Sequence, residues 1–309
     1  MQNKLMVILG ATATGKSNLG IELAKLLDGE IISGDSVLVY QGLNIGSAKP
    51  SAAELAIVPH HMVNVLPPNA NFDVTTFKAM VEKLVNEINS RGKLPILVGG
   101  TGLYIKAVLE DYTFLPVEEN AALRSELETF ADTYGNQALH DKLRAINPTA
   151  AEKLYPNDRF RVIRAIEIAS SGVQEKPASS GHIRADYQAK VYGLNMERAK
   201  LYERINLRVL KMFEQGLLTE VQELLSAGIE PQAQAMKSIG YRQVVEHLQG
   251  LRDYQDCVAA IQQATRNFAK RQITWFKSMQ YINWLEIEED TDISALAKKI
   301  SLEALENEN

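Results

Sequence analysis

Lys4-Leu-Met-Val-Ile-Leu9-Gly10-Ala11-Thr12-Ala13-Thr14-Gly15-Lys16-Ser17 decides the fold. The apolar run reads as a buried strand, and the residues after it as a glycine-turned loop. Leu19, Leu23, Leu26 and Leu27 then follow at helical spacing. The loop matches the G-x-x-x-x-G-K-[ST] phosphate-binding pattern at every fixed position. Gly10 and Gly15 can adopt backbone angles closed to other residues, so that successive N–H groups converge on an anion at the helix N-terminus. Lys16 adds a positive charge, and Ser17 offers a hydroxyl to Mg²⁺. Which phosphate the loop holds is left open by the loop itself.

Downstream, Glu30-Ile-Ile-Ser-Gly-Asp35 reads as a second buried strand ending on a carboxylate, followed by a long Gly-rich loop to Pro50. Val58-Pro59-His60-His61 reads as further loop; its histidines suit packing or hydrogen bonding better than a metal site, with no Cys or second His at ligand spacing. Asp73 caps a helix whose apolar positions Val74, Phe77, Val81, Leu84 and Ile88 step by three and four, ending at Arg91-Gly92. Leu94-Pro-Ile-Leu-Val98 is a third buried strand, running through Gly99-Gly100-Thr101-Gly102 into another helix. This alternation predicts an α/β fold, a P-loop doubly wound parallel sheet with right-handed crossovers. Ligands of such sheets sit at the carboxyl ends of the strands, where the P-loop, Asp35 and Thr101 all fall.

From Leu115-Pro116 to about Ser171 the pattern is helical only and carries Arg124, Arg159, Arg161 and Arg164. A flexible stretch from Val173 to Gly181 precedes strand character at Lys190–Leu194, helices from Glu197 to Gln280, and a weakly specified acidic tail beyond Glu286. Residues 1–115 and 187–309 are therefore expected to form the core with C-terminal helices, and 116–186 an inserted all-helical domain.

The 309 residues are 46% apolar and 23% charged with ten prolines, which excludes wholesale disorder. A single cysteine, Cys257, cannot form an internal disulfide, and no leader precedes the first strand; a cytoplasmic protein is expected. No run of about 18 apolar residues exists, so no membrane span is expected. The net charge of −5 is uneven: Lys237 to Gln280 holds seven Lys/Arg against three Asp/Glu, and Glu286 to Asn309 eight acids against two lysines. Within the basic segment, Arg266, Lys270 and Lys277 share a helix face with Arg271 alongside, while Phe268, Trp275 and Phe276 suit core packing or base stacking. A basic stripe plus an arginine-bearing insertion points to a nucleic-acid backbone.

For chemistry, a guanine-specific Asn-Lys-x-Asp is absent, and the strand at 94–98 ends in Gly-Gly-Thr instead of a Mg²⁺-ordering Asp. Asp35 is the only strand-terminal acid and suits a base beside bound phosphates, a helix cap or a Mg²⁺-ordering group. A transferase, a small-molecule kinase and a nucleotide-dependent RNA-binding module all remain open.

The chain resembles the bacterial tRNA dimethylallyltransferases, from Gly10 to about Trp284. The resemblance rests on the P-loop, Asp35-Ser36 with Tyr40, Ile45–Pro50, Pro59-His60, Leu97–Thr101, and Arg161 with Arg164–Glu167. It continues through Arg204-Ile205 with Arg208, Ile239-Gly240-Tyr241, Thr265-Arg266, and Ala269 to Trp275. Ala11 stands where the family usually has proline, and Ser17 where threonine is commoner. The resemblance implies a prenyl transfer from dimethylallyl diphosphate to N6 of the adenosine immediately 3′ of the anticodon in tRNA. It implies that Gly10 to Ser17 hold the diphosphate, with Mg²⁺ ordered near Ser17, and that Asp35, Thr101 and Arg208 act in catalysis. Asp35, Ser36, Val37, Leu38 and Thr101 would line a channel for a flipped adenine between the lobes. Arg124 and the segment Phe160, Arg161, Val162, Ile163 and Arg164 would grip the anticodon arm, with Lys270 and Arg271 on the same RNA. A monomer is the default expectation.

Overall fold

In strand β1 (Asn3–Gly10), Leu5, Val7 and Leu9 join one hydrophobic core while Met6 and Ile8 join another, and all five are buried. A strand buried on both faces must lie inside a sheet covered on both sides, and the rest of the first unit supplies that cover. The computed structural model describes residues 2–110, 112, 114–115, 117, 119–173 and 180–306. It divides into two compact units, Met1–Asp111 with Ser180–Asn309, and Tyr112–Ser179.

The first unit begins β1, α1 (Lys16–Leu26), β2 (Gly29–Ser33), α2 (Ala52–Leu55), β3 (His60–His61), α3 (Val74–Ser90), β4 (Leu94–Gly99) and α4 (Gly102–Leu109). The second unit holds α5 (Ala121–Ile146), α6 (Pro148–Lys153) and α7 (Arg159–Ser170). The first then resumes with β5 (Tyr187–Asn195), α8 (Arg198–Glu214), α9 (Leu217–Ser226), α10 (Tyr241–Leu248), α11 (Tyr254–Phe276), β6 (Asn283–Glu286) and α12 (Ile293–Glu306). The sheet order is β3-β2-β4-β1-β5-β6 with every pairing parallel, Met6 opposite Ile96 and Val7 opposite Val191. This is the expected doubly wound α/β architecture. Asp73 caps α3 as its position predicts, accepting from the Thr76 N–H at 2.7 Å.

Three details differ from the sequence reading. His60-His61 is a short edge strand, too brief to carry a periodic signal; His60 Nδ1 lies 2.8 Å from the Val58 carbonyl and His61 Nε2 2.7 Å from Glu30 Oε2. The acidic tail contains α12, whose Ala297, Ile300 and Ala304 are buried in the core beside α1. Its charge hides a stripe at helical spacing. The return to the first unit falls at Ser180, ahead of β5, because Ile183 bridges Glu110 and the Arg184 N–H donates to the Leu109 carbonyl. Residues 174–179 of the expected flexible stretch lie outside the described residues.

In the second unit α5 breaks at Gly135, where φ is 86°, and its two halves close with α6 and α7 on a separate core that includes Leu127, Leu139, Leu143 and Ile166.

Candidate active site at the P-loop

The β1–α1 loop is wound so that its polar atoms converge. Gly15 caps α1 in the left-handed region (φ 95°), which a residue with a β carbon resists. Thr14 Oγ1 donates to the Ala11 carbonyl at 2.9 Å, and Lys16 Nζ donates to the same oxygen at 2.6 Å. Burial pushes Lys16 down to about 7, assisted by the Arg208 guanidinium and opposed by Asp35. Arg208, on α8, is itself lowered by burial, with Asp35 opposing and Arg204 adding to the effect. One turn apart on one helix face, Arg204 and Arg208 border the same cavity as Lys16. Half-buried cations crowded along one cavity form a site suited to an anion.

The second wall comes from the end of β2. Asp35 Oδ1 accepts from the Val37 N–H at 2.8 Å, so the carboxylate also orders its own turn. Thr101 Oγ1 accepts from the Ser36 N–H at 3.3 Å, and the Thr101 N–H donates to the Gly34 carbonyl at 3.3 Å, which ties the ends of β2 and β4 together. Two cavities open here. One, of about 560 Å³, is floored by the P-loop and bordered by Lys16, Ser17, Asp35, Leu38, Arg204 and Arg208. The other, of about 340 Å³, has Asp35, Ser36, Val37 and Thr101 on one side and Ile205, Val209, Met212, Ile239 and Ile261 on the other. Thr12, Asp35, Arg208 and Phe268 line both, so polar cradle and apolar chamber adjoin.

The Gly99-Gly100-Thr101-Gly102 turn is shaped by α11. A β carbon on Gly100 would come 2.3 Å from Gln272 Nε2, and one on Gly102 would come 2.3 Å from Trp275 Cδ1. Gln272, 5% exposed, accepts from the Thr12 N–H at 2.9 Å and donates to the Gly100 carbonyl at 2.8 Å. The aromatic side chains of this helix divide: Phe276 is buried core, Trp275 packs on Gly102, and Phe268 faces the cavities. Arg271 lines the apolar chamber and Lys270 is exposed, whereas Arg266 donates to Asn206 Oδ1 at 2.6 Å.

Opposite, the loop after Asp35 hangs on a buried carboxylate. Glu220, 8% exposed, accepts from the N–H groups of Asn44, Ile45 and Gly46 and from the Tyr241 hydroxyl at 2.6 Å. That grip places Gly46, Ser47 and Ala48 against the apolar chamber. Lys49, on the same loop, borders the cradle; burial lowers it to about 8, with Glu220 opposing.

In the second unit Arg124 and Arg164 converge on buried Glu167, the former through a two-bond fork at 2.9 and 2.8 Å, the latter at 3.1 Å. The Arg124 fork leads the interactions that hold Glu167 below the usual carboxylate range against the opposing effect of burial. Phe160 is 71% exposed and the Arg161 side chain is open to solvent. Val162 and Ile163 are 0% and 3% exposed and pack in the unit's core, so Phe160 and Arg161 present the open side chains of this segment.

Gln272, Glu220, Arg204 and Lys49 had no assigned role in the sequence reading. Gln272 and Glu220 each stand as a polar residue on an otherwise apolar helix stripe, Cys257-Ile261-Phe268-Gln272-Phe276 and Leu217-Glu220-Val221-Leu224, and that anomaly was readable. Arg204 lies four residues before Arg208, which was also readable. Among the described residues no group of three or more His, Cys, Asp or Glu is arranged to hold a metal, and no helix is long and apolar enough to cross a membrane.

Residues 38–279 match the family described as IPP transferase. The tRNA dimethylallyltransferase of Desulforudis audaxviator is 44% identical over 287 residues, 92% of each chain. Among solved structures, the full-length tRNA isopentenylpyrophosphate transferase of Bacillus halodurans is 40% identical with a TM-score of 0.72, covering 98% of both chains. A eukaryotic dimethylallyltransferase acting on tRNA is 26% identical with a TM-score of 0.78, covering 99% of this chain and 80% of the other. With sequence and fold agreeing over nearly the whole length, this chain belongs to the IPP transferase family.

Proposed function

We propose that the protein is a tRNA dimethylallyltransferase, moving a dimethylallyl group from dimethylallyl diphosphate to N6 of the adenosine immediately 3′ of the anticodon. The observation that carries this reading is the apolar chamber adjoining the P-loop cradle. A nucleoside triphosphate has no short branched hydrocarbon to place there; an allylic diphosphate has one, bonded directly to the group the cradle holds. The names of the relatives support the same transfer.

In this reading the free N–H groups of the P-loop with Lys16 and Arg208 hold the diphosphate, and their positive charge stabilises it as it departs. Thr101 donates its hydroxyl toward the bridging oxygen. The allylic C–O bond breaks as the N6–C bond forms, and the proton lost from N6 passes to Asp35. An exocyclic amine whose lone pair is delocalised into the ring attacks poorly, so a carboxylate that accepts its proton lowers the barrier. Mg²⁺, when bound, supplies further charge neutralisation; the exposed Ser17 hydroxyl at the cradle would hold it together with diphosphate oxygens, a donor set that suits a hard cation. The adenine enters beside Asp35, Ser36 and Val37 after leaving its stack. Lys270, Arg271 and the exposed Phe160 and Arg161 of the second unit engage the anticodon arm.

The test is to incubate the protein with unmodified tRNA, Mg²⁺ and either dimethylallyl diphosphate or ATP. The expected result is the mass of one dimethylallyl group gained on a single adenosine with the first donor alone. Consumption of ATP without RNA would support a kinase instead.

A further inference from the structure

The side chain of Gln272 joins three separate segments. Its carbonyl oxygen accepts from the Thr12 N–H in the P-loop, and its amide nitrogen donates to the Gly100 carbonyl, the residue before Thr101. Both partners are backbone groups, so the link depends on what Gln272 offers: one donor and one acceptor on a neutral side chain of this length. Position 100 is open to it because glycine leaves room; any β carbon there would collide with Nε2.

Two consequences follow. The Thr12 N–H is satisfied by the protein, so it is withdrawn from the donors that face an anion, and the peptide is held at the mouth of the cradle. There the Arg208 guanidinium lies 3.5 Å from Thr12 Oγ1. The same amide fixes the turn that presents Thr101, whose hydroxyl is already engaged by the Ser36 N–H next to Asp35. The cradle and the opposite wall thereby acquire one fixed separation, set from α11, the helix that also carries Arg271 into the chamber.

We infer that Gln272 is a positioning residue for the departing diphosphate, holding Thr12 and the Gly100-Thr101 turn in register so that the cradle and the Thr101 hydroxyl act on the same leaving group. This inference rests on the proposed prenyl transfer for its kinetic consequence, and on geometry alone for its effect on anion binding.

The test uses the full-length protein with Gln272→Met, which keeps the side chain's length and loses both hydrogen bonds, and Gln272→Glu, which keeps the acceptor and loses the donor when ionised. Inorganic diphosphate is the binding probe. Gln272→Met is expected to weaken diphosphate binding about tenfold and to lower kcat by about ten- to a hundredfold at saturating tRNA and donor, since misplacement of order 1 Å has that reach. Gln272→Glu is expected to recover with acid: a protonated carboxyl again both donates and accepts, so its kcat relative to wild type rises as pH falls from about 8 to about 6. A purely structural glutamine would lower the melting temperature and leave both readouts of the folded protein untouched. Wild-type diphosphate affinity and kcat in Gln272→Met would overturn the inference. If that variant does not fold, a pH-independent activity ratio for Gln272→Glu overturns it. Should the wild type transfer no prenyl group, the functional proposal fails by itself, and diphosphate affinity still decides the role of Gln272.

Discussion

Lys16→Met is expected to stabilise the free protein while abolishing its grip on diphosphate. The lysine has been lowered from 10.5 to about 7 chiefly by burial. At about 1.4 kcal/mol per pKa unit, the cost of holding it charged is bounded near 5 kcal/mol. The side chain keeps partial solvent access, so about 1–3 kcal/mol is the expected gain on replacing it with a neutral chain of similar length. Its loss orphans nothing, since the Ala11 carbonyl still accepts from Thr14 Oγ1. Between pH 7 and 10.5 the unfolded chain binds a proton that the folded chain does not, so wild-type stability rises with pH across that window. The penalty is therefore complete at pH 7 and below and nearly gone by pH 10. Urea denaturation at pH 7 should show the variant more stable than wild type, and at pH 10 the two should converge. Adding inorganic diphosphate at pH 7 should stabilise the wild type and leave the variant unmoved. A variant less stable than wild type at pH 7, or an advantage that persists undiminished at pH 10, would refute the assignment of Lys16 as a desolvated cation awaiting an anion.

Glu220→Gln should cost about 1.5–3 kcal/mol, as a charged acceptor of three backbone donors and a hydroxyl becomes neutral and places an N–H₂ among them; chemical denaturation reads this directly. Gly102→Ala should destabilise by about 1–3 kcal/mol by forcing its β carbon into Trp275, and a melting curve unchanged from wild type would remove the packing argument. Neutralising Lys270 and Arg271 together should weaken tRNA binding and reduce the slope of log K against log salt by about one per lost phosphate contact. An unchanged slope would take them off the RNA surface.

The parallel sheet was readable because β1 carries an unbroken apolar run and Ile31-Ile32 of β2 and Ile96-Leu97-Val98 of β4 follow as shorter buried runs at crossover spacing. Two residues at His60-His61 are too few to show a period, and the charges around α12 mask a stripe that only its partner α1 makes sense of. For the site, residue types at strand ends pointed to Asp35, Thr101 and Lys16; Asp35 lines both cavities, Lys16 the cradle and Thr101 the apolar chamber. The residues that set their separation were harder to see. Gln272 acts on Thr12 from 260 residues away and Glu220 on Asn44 from 176 away; contacts that distant leave only a polar residue out of place on a helix stripe. In the segment Phe160 to Arg164 an exposed Phe160 stands beside Val162 and Ile163, whose side chains hold the unit's core, and a motif read as one block does not separate the two.

In the proposed transfer Asp35 removes a proton while the P-loop cradle receives the leaving group. This is tested most directly by the single-turnover rate of Asp35→Asn with tRNA and dimethylallyl diphosphate both saturating. A fall of about two to four orders of magnitude is expected, with the affinities for both substrates retained. Transfer at the wild-type rate would contradict it.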